Sequence, residues 1–309
     1  MKIAYSLSGN TLPSDGLLTI GTFDGVHRGH QHLLGRLVEC ATQCGRPSLA
    51  LTFHPHPRSV LRPASRPSYL SSTEDKAQAI AALGVDQLIQ LPFTQSLAGT
   101  SAERFVTRVY GSVQMSQLWV GADFAMGHHR DGDNAALGRL ARELGFKLVT
   151  VPPLYDGDAA ISSTRIRQLL AVGDVESASR LLAHPYGYVG SVVPGEQRGR
   201  QLGFRTANLE PPADRAMPAH GVYAVWVSVG ERRYGAVANV GVRPSFGGGR
   251  RLVEVHLIDQ DEDLYGQDMR VDFLRMLRPE RTFESADLLV AQICRDIESA
   301  REVFETALG

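Results

Sequence analysis

The spacing of apolar residues changes character partway along this chain. Leu17, Leu18 and Ile20 make a short apolar run. Leu33, Leu34, Leu37, Val38 and Ala41 then recur at the interval that places them on one face of a helix. Further runs at Ser48–Phe53, Gln87–Leu91, Gln117–Val120 and Lys147–Val151 predict strands, the first of them leading into a Pro-rich loop (Pro55, Pro57, Pro63, Pro67). Between them lie helical patterns from about Thr73 to Leu83, from Ser101 to Tyr110 and from Asp133 to Leu144; Ser72 and Thr73 start the first, with acids in its opening turn. A last helical stretch runs from Thr164 to about Ala183. Strands and helices alternating at this spacing predict an α/β fold, a parallel sheet with helices on both faces. Ligands bind such sheets beyond the C-terminal strand ends, where the turn after the first run and the loop at Gly121 both fall.

After His184-Pro185 the helical period gives way to alternation. Tyr188–Val193, Val222–Val229, Tyr234–Val240, Leu252–Ile258 and Met269–Phe273 read as strands, separated by turn signals at Val229-Gly230, Gly247–Gly249 and Tyr265-Gly266. Short strands at this spacing predict a small antiparallel β-barrel or sandwich. A terminal amphipathic helix follows from about Ser285 to Thr306, with Leu288, Leu289, Ile293, Ile297 and Val303 expected to face inward. The change predicts two domains, 1–185 and 186–309, and 309 residues with 43% hydrophobic content are enough for two cores.

Charge and cysteines narrow the function classes. A formal net charge of −1 leaves no basic footprint, so no nucleic acid is expected as a partner. No apolar run approaches the roughly 18 residues of a membrane span. No cationic segment leads into an apolar one at the start of the chain, so neither membrane nor export is expected. Cys40, Cys44 and Cys294 suit a reducing, cytoplasmic setting better than a disulfide framework. Cys40 and Cys44 stand one helical turn apart with no second ligand pair, so they read as small buried hydrophobes rather than half a metal site.

The richest chemistry lies in Gly21-Thr22-Phe23-Asp24-Gly25-Val26-His27-Arg28-Gly29-His30, which runs from strand through a Gly-rich turn into helix. His27 and His30 are three apart, a spacing that shares a helix face, so both imidazoles are expected to address one spot. That spot also receives unpaired backbone N–H groups and the positive end of the helix dipole, an arrangement that holds an anion, phosphate first among them. Histidines there can donate to phosphoryl oxygens as charge develops. A tight, solvated loop is the plainer alternative. Three further runs bear on the choice. Thr52-Phe53-His54-Pro55-His56-Pro57 reads alone as a rigid exit loop. In Gly121-Ala122-Asp123-Phe124-Ala125-Met126-Gly127-His128-His129-Arg130-Asp131-Gly132-Asp133 the adjacent histidines are expected to diverge, as solvated loop residues do. Ile161-Ser162-Ser163-Thr164-Arg165-Ile166-Arg167 opens a helix with hydroxyls that cap it and can hold phosphate, and Arg165 adds a planar charged fork.

The first run resembles the nucleotidyltransferase superfamily signature, and Phe23-Asp24-Gly25 narrows the resemblance to bacterial FAD synthetases. The other three are similar to that family's T-F-x-P-H-P, G-x-D-F-x-F-G-x-x-R-x-G-D and I-S-S-T-x-I-R. The resemblance implies a Rossmann-like nucleotidyltransferase half that joins ATP and FMN into FAD with release of pyrophosphate, Mg²⁺ assisting. It implies His27, His30 and Arg165 as catalytic, charge-stabilising groups. It also implies Gly21, Phe23, Asp24, Gly25, Gly29, His56, Gly121, Asp123, Phe124, Arg130, Ser162, Ser163 and Thr164 as nucleotide- and flavin-binding residues. Met126 stands where the family has an aromatic, which weakens a ring-stacking role there; Thr22 stands where asparagine is common, and its hydroxyl can still bond a phosphate.

The second informative run is Gly195-Glu196-Gln197-Arg198-Gly199-Arg200-Gln201-Leu202-Gly203-Phe204-Arg205-Thr206-Ala207-Asn208. Glycines let backbone N–H groups close around an anion, and Thr206 and Asn208 fall on one side if the chain is extended. A hydroxyl and an amide oxygen are hard ligands for a nucleotide's Mg²⁺, whereas a flexible hairpin loop is the plainer reading. The run resembles the riboflavin kinase signature G-R-x-L-G-F-P-T-A-N. The likeness continues through Gly221-Val222-Tyr223, Asn239-Val240-Gly241-Val242-Arg243-Pro244-Ser245-Phe246, Val253-Glu254-Val255-His256, Leu264-Tyr265-Gly266 and Leu277-Arg278-Pro279-Glu280. It implies Glu254 as the base that takes the proton of the riboflavin 5′-hydroxyl, whose oxygen then attacks the γ-phosphate of ATP. It further implies Thr206 and Asn208 on the metal, and Gly195, Gly199, Arg200, Gly203, Asn239 and Arg243 at the nucleotide or flavin. Read by itself, Glu254 between two valines is a solvated outer-face residue, with His256 on the same face. Arg205 stands where the family has proline, which frees φ and places a charge beside the metal ligands, as in a looser or slower kinase half.

The two resemblances together imply a bifunctional riboflavin kinase and FAD synthetase using ATP, riboflavin and FMN. An FAD synthetase with an impaired kinase half is one alternative. A flavin-binding regulator without turnover is the other, although His27, His30, Arg165, Thr206, Asn208 and Glu254 are all present. Self-association stays open.

Overall fold

The computed structural model describes residues 1–8, 12–65, 68–194, 203–243, 250–260 and 264–308. The chain forms two compact units, Met1–Ser163 and Thr164–Gly309.

Six strands build the first unit: β1 (Lys2–Ala4), β2 (Leu17–Ile20), β3 (Ser48–His54), β4 (Gln87–Pro92), β5 (Gln117–Gly121) and β6 (Lys147–Val151). They pair in the order β1-β4-β3-β2-β5-β6, every pair parallel. Helices α1 (Arg28–Cys44), α2 (Thr73–Ala82), α3 (Ala102–Val113) and α4 (Asn134–Leu144) cover the sheet, so β2 is buried along its whole length. Leu18, Ile20, Leu51 and Ile89 pack against Val106 and Val109 of α3 and Leu137 of α4. Ala50 and Leu88, from the alternate positions, pack with Leu34 of α1 and Ile80 of α2. Ser72 and Asp75 close the predicted start of α2 with a capping box. β3 and β4 lie on one side of β2, and β5 and β6 on the other. The order reverses between β2 and β5, and the turn after β2 and the Gly121 loop after β5 follow the C-terminal ends of the two strands at that reversal, where such sheets bind ligands.

The second unit begins one residue into α5 (Ser163–Ala171) and continues with α6 (Val175–Leu182), a pair that replaces the single helix expected over 164–183. The break is at Gly173, whose φ of +84° suits glycine and where a Cβ would stand 2.6 Å from Met276 Sδ. Asp174 then caps α6 through the Ser177 amide. Strands β7 (Tyr186–Val193), β8 (Ala207–Leu209), β9 (Gly221–Val229), β10 (Arg232–Arg243), β11 (Arg250–Leu257) and β12 (Asp268–Pro279) close into an antiparallel barrel in the order β7-β8-β11-β10-β9-β12. Tyr188, Leu209, Tyr223, Val225, Val253, Val255 and Phe273 are buried in it. The terminal helix α7 (Ala286–Leu308) lies on the outside, Val303 and Phe304 packing on Val222, Ala224 and Val237.

Three expectations need correction. Leu288 is 52% exposed rather than inward; Gln292 and Asp296 take buried positions on α7 because Arg278 and Arg281 bond them. Cys44 and Cys294 are exposed and Cys40 only half-buried, because the two α1 cysteines occupy the last turns of that helix and Cys294 the open face of α7. The short strands β1 and β8 carry too few residues to show an alternating pattern and were not expected as strands.

Candidate active sites

The turn after β2 is held in an uncommon backbone shape. Phe23, Gly25 and Val26 have φ of 48°, 78° and 37°, a region that excludes most side chains and a branched one above all. Phe23 and Asp24 are each 1% exposed, so both point into the protein. The Asp24 carboxylate accepts from the Leu70 amide at 3.0 and 3.2 Å and from the Ser71 amide at 3.3 Å. Ser71 Oγ accepts from the Gly25 amide, Gln31 Nε2 donates to the Val26 carbonyl at 2.8 Å, and Ser163 Oγ donates to the Asp24 carbonyl at 2.9 Å. The two histidines follow this braced turn at the start of α1, where His27 is 5% exposed.

His27 is the N-cap of α1, its Nδ1 accepting from the His30 amide at 3.3 Å. That bond fixes Nδ1 as an acceptor and leaves Nε2 to carry the proton of the neutral ring. The His27 and His30 rings stack with centroids 3.7 Å apart and planes 16° from parallel, and Phe23 meets His30 edge to face at 5.3 Å. The structure thus brings the two histidines together as the spacing predicts. His30 Nδ1 is enclosed and has no hydrogen-bond partner. Burial first, then the neighbouring His27 and Lys76, push the His30 pKa well below the usual imidazole value, so the ring is neutral.

The other expected residues of this half lie in four places. Gly29 sits in the first turn of α1, a Cβ there standing 3.2 Å from the His27 ring. His56 caps the short helix Pro57–Leu61, and its amide donates to Tyr69 Oη at 2.8 Å. After β5, Asn134 Nδ2 ties down the carbonyls of Gly121 and Ala122, Asp123 is exposed, and Phe124 packs on the sheet core. His128 and His129 are exposed with centroids 3.9 Å apart; the left-handed backbone of His129 (φ 54°) turns them together where divergence was expected. Arg130 is exposed beside them. Ser162 and Ser163 close the first unit, whereas Thr164 and Arg165 stand in the first turn of α5 and belong to the second.

In the barrel, Val253 and Val255 are buried (0% and 1%), so Glu254 points outward. Its direct cross-strand partners are Asn208 on β8 and Asn239 on β10. Directly opposed residues share a face, so Asn208, Glu254 and Asn239 form one polar row on the outer surface. Glu254 and Asn239 are half-buried and Asn208 is 6% exposed, so the row lies on the outer face of the barrel and is partly covered there. Two residues along the same face, His256 Nδ1 lies 2.8 Å from the Arg205 carbonyl, and Phe204 meets the His256 ring at 5.5 Å. Arg205, Thr206, Ala207, Leu264 and Tyr265 line a small open cleft. Gly203 stands just ahead with φ of +85°. Arg243 ends β10; Gly195, Gly199 and Arg200 lie outside the described residues. Tyr69, Ser71 and Lys76 support the first site without a signal in the sequence pattern, whereas Thr52 opens the Thr52–Pro57 run; the row of Asn239 with Glu254 needed the strand register.

Both halves match known proteins. A family model described as FAD synthetase covers residues 10–165, and one described as riboflavin kinase covers residues 182–304. The bifunctional riboflavin kinase/FMN adenylyltransferase of Escherichia coli strain K12 is 39% identical over 295 residues, 94% of each chain. The protein of the same description from Pseudomonas fluorescens is 39% identical over 285 residues, 92% of this chain and 91% of its own. Among solved structures, one described as a macrolide-efflux protein from Streptococcus pneumoniae matches with a TM-score of 0.89 at 31% identity, covering 97% of this chain and 98% of that one. With each half matched in turn and relatives aligned over nearly the whole length, the chain belongs to the bifunctional riboflavin kinase/FMN adenylyltransferase family.

Proposed function

We propose that the two activities of this family run at separate sites on this chain, riboflavin phosphorylation at the Glu254 row and FMN adenylylation at the histidine turn. The observation that carries the reading is that the two residue sets lie in different compact units, the turn in the first and the row in the second. The family matches at 10–165 and 182–304 support assigning residues 1–185 to adenylyl transfer and 186–309 to the kinase.

At the row, Glu254 accepts the proton of the riboflavin 5′-hydroxyl. The oxygen attacks the γ-phosphorus of one ATP, the bond to the bridging oxygen breaks, and ADP leaves. Thr206 lines the cleft and Asn208 stands opposite Glu254, and their hydroxyl and amide oxygens are hard donors of the kind that fits Mg²⁺ carried with ATP. Bound there, the cation would neutralise charge on the phosphates. Arg205 does not favour an impaired kinase: the hydrogen bond to His256 restrains the chain ahead of Thr206, as the missing proline would.

At the turn, an oxygen of the FMN phosphate attacks the α-phosphorus of a second ATP and pyrophosphate leaves. His27 donates from Nε2 and His30 from its ring N–H to oxygens that gain charge, and the α1 N-terminus adds its amides. A cytoplasmic location belongs to the same reading, since three free thiols suit a reducing compartment. Incubation with riboflavin, ATP and Mg²⁺ tests it: FMN forms first and FAD follows, and the absence of both flavins contradicts it.

A further inference from the structure

A buried ammonium lies beneath the histidine turn and takes no part in the chemistry above. Lys76, in α2, is 5% exposed. Lysine is almost never fully buried unless paired, because removing its charge from water is costly. Its Nζ donates to Thr52 Oγ1 at 3.5 Å, and that hydroxyl donates to the Thr22 carbonyl at 3.1 Å. The buried Asp24 carboxylate attracts Lys76 from the turn itself, while its oxygens accept the amides that lead into α2. Lys76 therefore acts on the turn by two routes, a hydrogen bond through Thr52 near the end of β3 and the attraction of the Asp24 carboxylate. The turn needs such support: Phe23 and Val26 keep left-handed φ of 48° and 37°, and non-glycine residues hold that shape only where their surroundings over-determine it.

We propose that Lys76 is a positioning residue for adenylyl transfer, its buried charge holding the 22–27 turn from beneath so that the turn's amides and histidines meet the triphosphate in one arrangement. This rests on the assignment of adenylyl transfer to that turn. Two charged or titratable groups face Lys76, Asp24 from the turn and His30 from α1; His30 in turn faces His27 and Lys76. Loss of the Lys76 charge leaves the Asp24 carboxylate without its cation and removes one of the influences that keep His30 neutral.

The test uses the full chain with Lys76→Met, Lys76→Arg and His30→Ala. Steady-state kinetics with FMN and ATP are measured beside riboflavin phosphorylation, and an NMR titration of His30 is run on the Lys76 variants. The Met variant is expected to lose roughly tenfold or more in kcat for adenylyl transfer, the scale of a reacting group misplaced by a fraction of an ångström. Riboflavin phosphorylation stays unchanged, the His30 titration moves to higher pH, and Lys76→Arg recovers most of the lost rate. Lys76→Gln, which keeps a donor for Thr52 and lacks only the charge, carries the same measurements if the Met variant does not fold. Unaltered adenylyl transfer or an unmoved His30 titration overturns the proposal. If His30→Ala also leaves adenylyl transfer intact, the assignment of the reaction to this turn fails with it; if His30→Ala is impaired and Lys76→Met is not, only the role of Lys76 is lost.

Discussion

At His30, burial, the adjacent His27 and the Lys76 ammonium all disfavour the charged ring, and its pKa lies well below the ordinary 6.5. As pH falls past 6.5 the unfolded chain binds this proton before the folded one does. The contribution of His30 to stability is thus present above that value and is lost as pH falls toward the folded pKa. Thermal melts from pH 7.5 to 5 should show the parent losing stability relative to His30→Gln as pH falls; parallel curves would contradict the shift. Arg205 supports a second expectation. Because the His256 hydrogen bond already restrains this segment, Arg205→Pro should leave kinase turnover equal or improved, and a severe loss would give Arg205 a role of its own. The candidate chemical groups were legible residue by residue: paired histidines at a helix entrance, hydroxyl and amide two apart, a carboxylate between valines. Its supports were not. Lys76 one turn into a helix read as an ordinary polar position, and the Thr52–Pro57 run did not show what Thr52 holds, since these roles arise from contacts 24 or more residues away in sequence.

The elements that carry the sites are pinned by a few close approaches. A Cβ on Gly21 would stand 2.8 Å from Phe23 Cζ, and that ring, 1% exposed, has no room to retreat. Gly21→Ala should destabilise the first unit by about 1–3 kcal/mol, in the range of overpacking, and slow adenylyl transfer while sparing the kinase; an unaltered melt and rate would refute this. Helix α7 is fixed differently. Arg278 grips Asp296 through Nε at 3.0 and 3.1 Å and Nη2 at 2.9 Å, and Gln292 bonds the same carboxylate at 2.7 Å. Breaking a buried pair leaves a charge uncompensated, so Asp296→Ala should cost about 3–5 kcal/mol and lower the melting temperature of the barrel unit. Long elements with a clear period were legible to within a few residues. What escaped were three-residue strands, a glycine break inside an apolar helical pattern, and a helix face lined by Gln292 and Asp296, which a hydrophobic pattern assigns to solvent.

Across the whole molecule, the switch from helical to alternating periodicity reflects two architectures, a parallel sheet and a closed antiparallel barrel. Strand order and closure were beyond sequence reasoning, because both depend on which strands pair rather than on what each one contains. They decide the sites all the same: the reversal of strand order between β2 and β5 falls at the histidine turn, and the register of β8, β11 and β10 aligns Asn208, Glu254 and Asn239. The central claim is that one chain carries two separable reactions, and chromatographic separation of flavins over time in Glu254→Gln and His30→Ala tests it most directly. Glu254→Gln should form no FMN from riboflavin yet convert supplied FMN to FAD at the parent rate, and His30→Ala should accumulate FMN without FAD. Loss of both conversions through either single substitution, in a folded protein, would contradict the two-site account.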